Sequence, residues 1–482
     1  MEAGLPADTP APRLYRTTPA PKLGIVHLGL GAFFRAHGAI FTEEAIAASG
    51  GDWGILGVSL QSAGTRDALE PQGGAYIALE LAPEGAKARP VQVIAGVLVA
   101  PENPEAVLAA MADPGVKIVS LTVTEKGYCH EPATGALNLE HPDIAHDLAA
   151  ALPRSAPGFI VRALARRRAA GLAPFTVMSL DNLPHNGQVL RGVVLALARA
   201  IDPDLADWIA AEGRFPATMV DRIVPATKPE DIAEVEALIG CHDAAPVMHE
   251  PFRQWVIEDS FVNGERPGWG MVGAQLVADV TPYEHMKLRM LNGTHSSLAY
   301  LGYLAGHETI AATMADAVFA RFVAKLWKDE IIPALTPPPG EDLGAYAEAL
   351  ARRYANPAIR HRTWQIAMDG SQKLPQRLLG TLAESFAAGR HAPGLQLAVA
   401  AWMRYVGGVD ETGAPIEVKD PLAARLKALS DSAESPEGKV AALLGLREVF
   451  SEEMAAALLA PVSAAYARLV AVGARKAVEE IL

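Results

Sequence analysis

From Leu23 to about Val224 the chain alternates short apolar, β-branched runs with longer amphipathic segments, and beyond about Thr281 the strand-like runs nearly vanish. A parallel strand is buried on both faces and so reads as a nearly continuous apolar run, and each crossover to the next takes a dozen or more residues, usually a helix. The first part of the chain is therefore α/β, a parallel sheet covered by helices. Strands are expected at residues 24–28, 53–60, 91–99, 117–124, 175–180 and 219–224, with helical spacing over 104–112, 159–170 and 189–200. Past Thr281 come long Ala- and Leu-rich stretches, broken by Pro337-Pro338-Pro339-Gly340, by Asn356-Pro357 and by a turn at 410–415, so this part is mostly helical.

With 482 residues the chain is long enough for two or three domains, each with its own apolar core. Its 55 acidic residues against 42 basic ones give a net charge of -13, and no stretch gathers the basic patch that a phosphate backbone requires. Nucleic acid is excluded as a partner on this ground. Arg166-Arg167-Arg168, the densest basic run, reads as the solvated face of a helix. Cys129 and Cys241 form neither a disulfide framework nor a zinc spacing, which suits a reducing compartment. Residues 1–21 have no continuous apolar core and read as an irregular leader arm rather than a signal peptide. No uninterrupted apolar stretch reaches the roughly 18 residues of a membrane span. The expectation is a cytoplasmic protein without a membrane partner.

The segment Leu23-Gly24-Ile25-Val26-His27-Leu28-Gly29-Leu30-Gly31 puts two glycines directly after the first strand and at the start of a helix. A dinucleotide pyrophosphate sits at such a place: Gly29 permits the tight turn, Gly31 lets the backbone approach, and a helix N-terminus favours negative charge. The third glycine of that pattern is missing, and strand, glycine turn and helix also occur together without a nucleotide. These residues alone leave the cofactor open. The second strand ends Val58-Ser59-Leu60-Gln61 with no acid to bind an adenosine ribose, so NAD and NADP both stand. Arg66 either faces a 2′-phosphate or is merely solvated.

Residues 281–296 carry the densest chemistry. Thr281 as N-cap, Pro282 as first residue and Glu284 as third form a capping box that starts a helix. At about 100° per residue Lys287, Asn292 and His295 then fall within an arc of about 140°, provided Gly293 leaves the helix intact. Interconverting a ketone and an alcohol needs a group that moves the hydroxyl proton and donors that stabilise charge on the oxygen. A partly buried lysine supplies the first and asparagine amides the second. The alternative is that Lys287 and Arg289 face solvent and Asn292-Gly293 ends the helix. Another polar cluster, 179–187, follows a predicted strand at the edge where open α/β sheets bind ligands. There Asn182 either points into the crevice or belongs to an Asx turn, with Asn186-Gly187 opening the next helix. Asp221 either lies in a comparable place or pairs with Arg222 at the surface.

Taken together, Gly29-x-Gly31-Ala32-Phe33-x-Arg35-Ala36-His37, residues 119–128 with Glu125, Asp181-Asn182, Met219-Val220-Asp221, residues 250–259 and 287–295 resemble the polyol-specific long-chain dehydrogenase/reductase family, the mannitol dehydrogenase group. The likeness spans nearly the whole chain. Residues 125–129, 261–264, 295–303 and 360–377 resemble the branch acting on sugar acids. The resemblance implies a Rossmann-type dinucleotide-binding domain over 1–281 and a mostly α-helical substrate and catalytic domain over 282–482. It implies chemistry without a metal, with NAD as cofactor and NADP not excluded.

By the same resemblance Lys287 is the general acid/base, Asn182 and Asn292 hold the reacting oxygen, and His295 orients the substrate. Asp221 and Lys373 line the site, Glu125 lies near the proton path and Glu284 near the entrance; Gly29, Gly31, Ala32, Phe33 and Arg35 meet the cofactor. Two departures stand out: Phe34 replaces a histidine common in the glycine motif, and Glu265 looks like an insertion in the Gly264-Arg266-Pro267 turn. The reaction implied is interconversion of D-mannonate and D-fructuronate, against the alternatives of a polyol 2-dehydrogenase or a nucleotide-binding sensor without catalysis. The partner is a small sugar acid or polyol, and the protein a monomer or homodimer. A buried sugar carboxylate needs paired donors, which the basic run Arg360-His361-Arg362, with Lys373 and Arg377, can provide; an ordinary charged surface helix explains the same letters.

Overall fold

A computed structural model of the chain describes residues 11–131 and 134–482, so the first half of the expected leader arm lies outside the described residues. The chain divides into two compact units, 1–281 and 282–482.

The strands of the first unit are β1 Leu23–Leu28, β2 Gly54–Ser59, β3 Tyr76–Ala82, β4 Gly85–Val91, β5 Ile94–Val99, β6 Ile118–Leu121, β7 Thr176–Ser179, β8 Thr218–Asp221, β9 Val247–His249, β10 Gln254–Glu258 and β11 Gln275–Val277. Five of them make one parallel sheet in the order β5-β2-β1-β6-β7. This is a Rossmann-like arrangement, with β1 where the strand order reverses. Val26 and Leu28 pack into a core on one face, with Val119, Phe159 and Val194. Ile25 packs into a second core on the other face, with Phe34, Ile40, Phe41 and Trp255. Burial on both faces is what makes these strands read as unbroken apolar runs.

All six expected strand regions hold a strand, but two details differ. The last, β8, leaves the parallel sheet and pairs antiparallel with β10 in a separate sheet, β11-β10-β8. The hairpin β3–β4, joined by β9 in a third sheet, and the strands β10 and β11 have no counterpart in the expected pattern. Arg167 also departs from the solvated helix face expected for its run. It is buried beneath the helix Ala156–Ala169 and donates to the carbonyls of Asp113, Val116 and Ala173, while Arg166 pairs with Glu105.

The second unit has no strand among the described residues and is built of helices. Leu395, Leu397 and Trp402 of the helix Pro393–Val406 are buried among its neighbours. The helix Glu452–Val472 is, by length and composition, apolar enough to cross a membrane, which a search for uninterrupted apolar runs passes over because Arg468 interrupts it. In the fold it packs against Pro393–Val406 and Pro436–Leu444 through Leu458, Val462, Tyr466 and Leu469, an apolar stripe at helical spacing.

Candidate active site

In the first unit β1 runs into Gly29, whose φ of +87° is left-handed and where a Cβ would come within 2.2 Å of the Thr122 carbonyl oxygen. Only glycine fits there. Gly31 is exposed, and a Cβ on it would meet nothing nearer than the Gly29 oxygen at 3.8 Å, so packing does not require it and its backbone opens onto free space. That is the cradle a pyrophosphate needs, and the residues fit a dinucleotide.

A buried network holds this turn. Thr122 Oγ1 donates to the Gly29 oxygen at 2.7 Å, while His27 bonds Thr122 Oγ1 through Nε2 and Ser120 Oγ through Nδ1, both at 2.9 Å. Because Thr122 has given away its proton, His27 Nε2 donates and Nδ1 accepts, which describes a neutral imidazole. Burial pushes its pKa down to about 3.

Beyond Gly31 the backbone forms a five-residue helix, Ala32–Ala36, that breaks at His37 before the longer helix Gly38–Ser49. Ala32 and Phe33 are half-buried on it, Phe33 stacking 5.2 Å from the His37 ring. Arg35 does not serve the cofactor face expected of it. It is buried, donates to the Ala245 carbonyl at 2.5 Å and lies over the Tyr76 ring, because that face of so short a helix is turned into the core. Arg66 is taken up by Asp67 and Glu102.

At the carboxyl edge of the sheet the buried Asp181 carboxylate accepts from the Val123 and Thr124 amides at 3.1 and 2.9 Å and from Tyr128 Oη at 2.8 Å. It ties the end of β7 to the loop after β6, and Thr124 is held at φ +61°. Asn182 follows it and is exposed, as is Glu125 on the tied loop. Asn186 opens the helix Asn186–Ile201 and exchanges hydrogen bonds with Thr218. Asp221 and Arg222 are both buried, and the Arg222 guanidinium goes to the carbonyls of Ala36 and Glu250, so the surface pairing of these two is excluded.

In the second unit the α-helix Thr281–Met286 does not continue as such. Residues Lys287–Gly293 form a π-helix, and α-helix resumes over Thr294–Leu304. An α-helix would set Lys287 and Asn292, five residues apart, about 140° from each other. A π-turn closes with an i→i+5 hydrogen bond and brings such residues back to one face. The carbonyls that the wider turn strands find other donors: Trp327 Nε1 reaches the Met290 oxygen at 2.9 Å and Tyr354 Oη the Leu291 oxygen at 2.6 Å. Glu284 is half-buried on the turn before.

Lys287, Asn292 and His295 are all buried, at 7%, 5% and 6% exposure, so neither Lys287 nor Arg289 faces solvent. Arg289 makes a two-pronged pair with Glu384, both bonds at 2.6 Å. Asn292 Nδ2 has no hydrogen-bond partner among the described residues. An amide donor left in this state is costly unless something else accepts from it.

The His295 ring stacks 5.2 Å from Tyr354 and meets His361 edge-on at 4.7 Å. Its pKa falls well below the usual imidazole value, first through burial, then through His361, Arg377, Arg353 and Lys373. Lys373 thus lies within electrostatic reach, its Nζ donating to the Met368 carbonyl at 2.5 Å. Arg360 and Arg362 do not join the cluster. Both are exposed, and Arg362 pairs with Glu308 at 3.5 Å. Of 360–362 only His361 turns inward, its ring against that of His295. His361 stood in the basic run expected to offer donors to a sugar carboxylate, whereas Arg353 was not among the expected site residues. Nothing local marks Arg353.

A Rossmann-like unit with an open glycine turn, followed by a helical unit holding a buried lysine, amide and imidazole, defines a dehydrogenase-type architecture. The model of the mannitol dehydrogenase Rossmann domain matches residues 23–271, and that of the mannitol dehydrogenase C-terminal domain matches 279–470. The chain belongs to the mannitol dehydrogenase family of oxidoreductases. It is 49% identical over 461 residues to D-mannonate oxidoreductase of Escherichia coli (strain K12), covering 94% of each chain. It is 42% identical over 441 residues to mannitol 2-dehydrogenase of Pyrenophora tritici-repentis (strain Pt-1C-BFP), 90% of this chain and 77% of that one. Its fold matches Pseudomonas fluorescens mannitol 2-dehydrogenase, solved as a ternary complex with NAD and D-mannitol, at a TM-score of 0.86 and 38% identity, covering 98% of this chain and 97% of that one.

Proposed function

We propose that this protein interconverts D-mannonate and D-fructuronate, with NAD as the hydride carrier. NAD supplies the hydride acceptor or donor at its nicotinamide ring. In the reductive direction Lys287 Nζ gives a proton to the oxygen developing at C5, and Asn292 Nδ2 donates to that oxygen. Asn182 is assigned the second amide on it, and His295 orients the neighbouring hydroxyl groups as a neutral ring. Proton movement and charge stabilisation thus fall to side chains alone. Asp221 and Lys373 are assigned to substrate binding, Glu125 to the proton path and Glu284 to the entrance.

The observation that carries the reading is the partnerless, buried Nδ2 of Asn292 in the same π-turn as Lys287. Identity to the Escherichia coli D-mannonate oxidoreductase and the cations around His295 support an acidic substrate. The engagement of Arg66 by two carboxylates supports NAD over NADP, since a 2′-phosphate would need that guanidinium. The test is oxidation of NADH and NADPH with D-fructuronate and with D-fructose, substrates alike except for a carboxylate or hydroxymethyl group at the far end. Higher kcat/KM with D-fructuronate and NADH is expected. A clear preference for fructose would replace the reading with a polyol 2-dehydrogenase, and no turnover despite cofactor binding would replace it with a sensor.

A further inference from the structure

We infer that His361 binds the substrate directly, its Nδ1–H donating to the carboxylate at the end of the sugar acid remote from the reacting carbon. This rests on the acid-sugar reading above and names a residue for its specificity.

Three observations converge on His361. Its ring meets that of His295 edge-on at 4.7 Å, and so it stands beside the run that carries Lys287 and Asn292. Its Nδ1 is buried without a hydrogen-bond partner among the described residues, as is Nδ2 of Asn292, three residues before His295. Two such orphaned polar atoms near His295 call for a partner that the protein alone does not supply. The backbone that carries it is meanwhile fixed: the His361 carbonyl accepts from Ile310 at 3.0 Å and its amide donates to Ile359 at 2.9 Å.

The charges around it favour an anion. Burial, and then the charges of Lys373 and Arg377, lower the pKa of His361 to about 4. At neutral pH the ring is therefore uncharged and offers one N–H. Two cations nearby attract a carboxylate, and the imidazole gives it a directed donor. Arg377 is itself oriented by its bond to Ser296 Oγ at 3.0 Å, one residue beyond His295. A neutral hydroxymethyl group in the same place gains little from the cations.

Two substitutions separate binding from packing. His361→Phe keeps a ring against His295 and removes the donor, whereas His361→Asn keeps a donor near the Nδ1 position. The expected result for His361→Phe is a kcat/KM for D-fructuronate lower by about 10- to 100-fold, the range for losing a hydrogen bond to a charged group, mostly through KM. For D-fructose the change stays under about threefold, and His361→Asn recovers most of the loss. Equal losses on both sugars, or none on either, would overturn the inference while leaving the acid-sugar reading intact. A wild-type enzyme that reduces D-fructose but not D-fructuronate would overturn that reading and the inference with it. Thermal unfolding of each variant shows that the fold is kept.

Discussion

A Cβ placed on Gly293 would stand 2.6 Å from the carbonyl oxygen of Arg377. Gly293 ends the π-helix Lys287–Gly293, and Arg377 lies in a second one, Pro375–Leu379. The two widened turns touch backbone to backbone, and this contact leaves room for no side chain. The turn that aligns Lys287 with Asn292 is thereby braced against the segment carrying Arg377.

Gly293→Ala is accordingly expected to push the two turns apart. Overpacking of this kind costs about 1–3 kcal/mol. Denaturant unfolding should show a loss in that range, with a fall in kcat of at least about tenfold, since misalignment by an ångström is enough for that. A variant with wild-type kcat would mean that the close approach has no bearing on the site.

Lys287→Ala should lower turnover by roughly 10² to 10⁴ if the ammonium transfers the proton. Binding of NADH, followed by fluorescence, should be unaffected. Turnover near that of the wild type in a folded variant would remove Lys287 from the chemistry.

Asn292→Leu separates function from stability. The amide Nδ2 has no partner among the described residues, so replacing it with an apolar group of similar shape should change unfolding free energy by less than about 1 kcal/mol. Loss of a donor to the developing oxyanion should nonetheless cut kcat by about 10² to 10³. A large loss of stability with little loss of kcat would assign Asn292 to the scaffold.

His27 makes the fold sensitive to acid. Its pKa is about 3 in the folded protein because burial disfavours the cation, against an ordinary value of 6.5 unfolded. The unfolded chain therefore binds more protons between those two values, and the contribution of His27 to stability is full above about pH 6.5 and lost as pH falls toward 3. One such group adds a slope of about 1.4 kcal/mol per pH unit in that window. Comparing unfolding at pH 7 and pH 5, His27→Gln should lose less stability than the wild type does; equal losses would mean that His27 titrates normally.

The nearly continuous apolar runs of β1, β2, β5, β6 and β7 pointed to a parallel sheet on their own, because burial on both faces leaves little room for polar residues. The Gly29 turn was equally legible, since only a residue without Cβ takes that conformation. Lys287, Asn292 and His295 were visible as residue types at suggestive spacing, but the face they share depends on a π-helix that no local signal announces. Its widened turn is held by side chains from distant segments, Trp327 and Tyr354, together with the close approach of Arg377. Arg35 and Arg362 show the same limit from the other side, since each has the right chemistry for a ligand and is turned elsewhere by its surroundings. Sequence determined which groups were present and which elements carried them. Tertiary packing decided which way each group points, because burial and hydrogen bonding are settled by neighbours far along the chain.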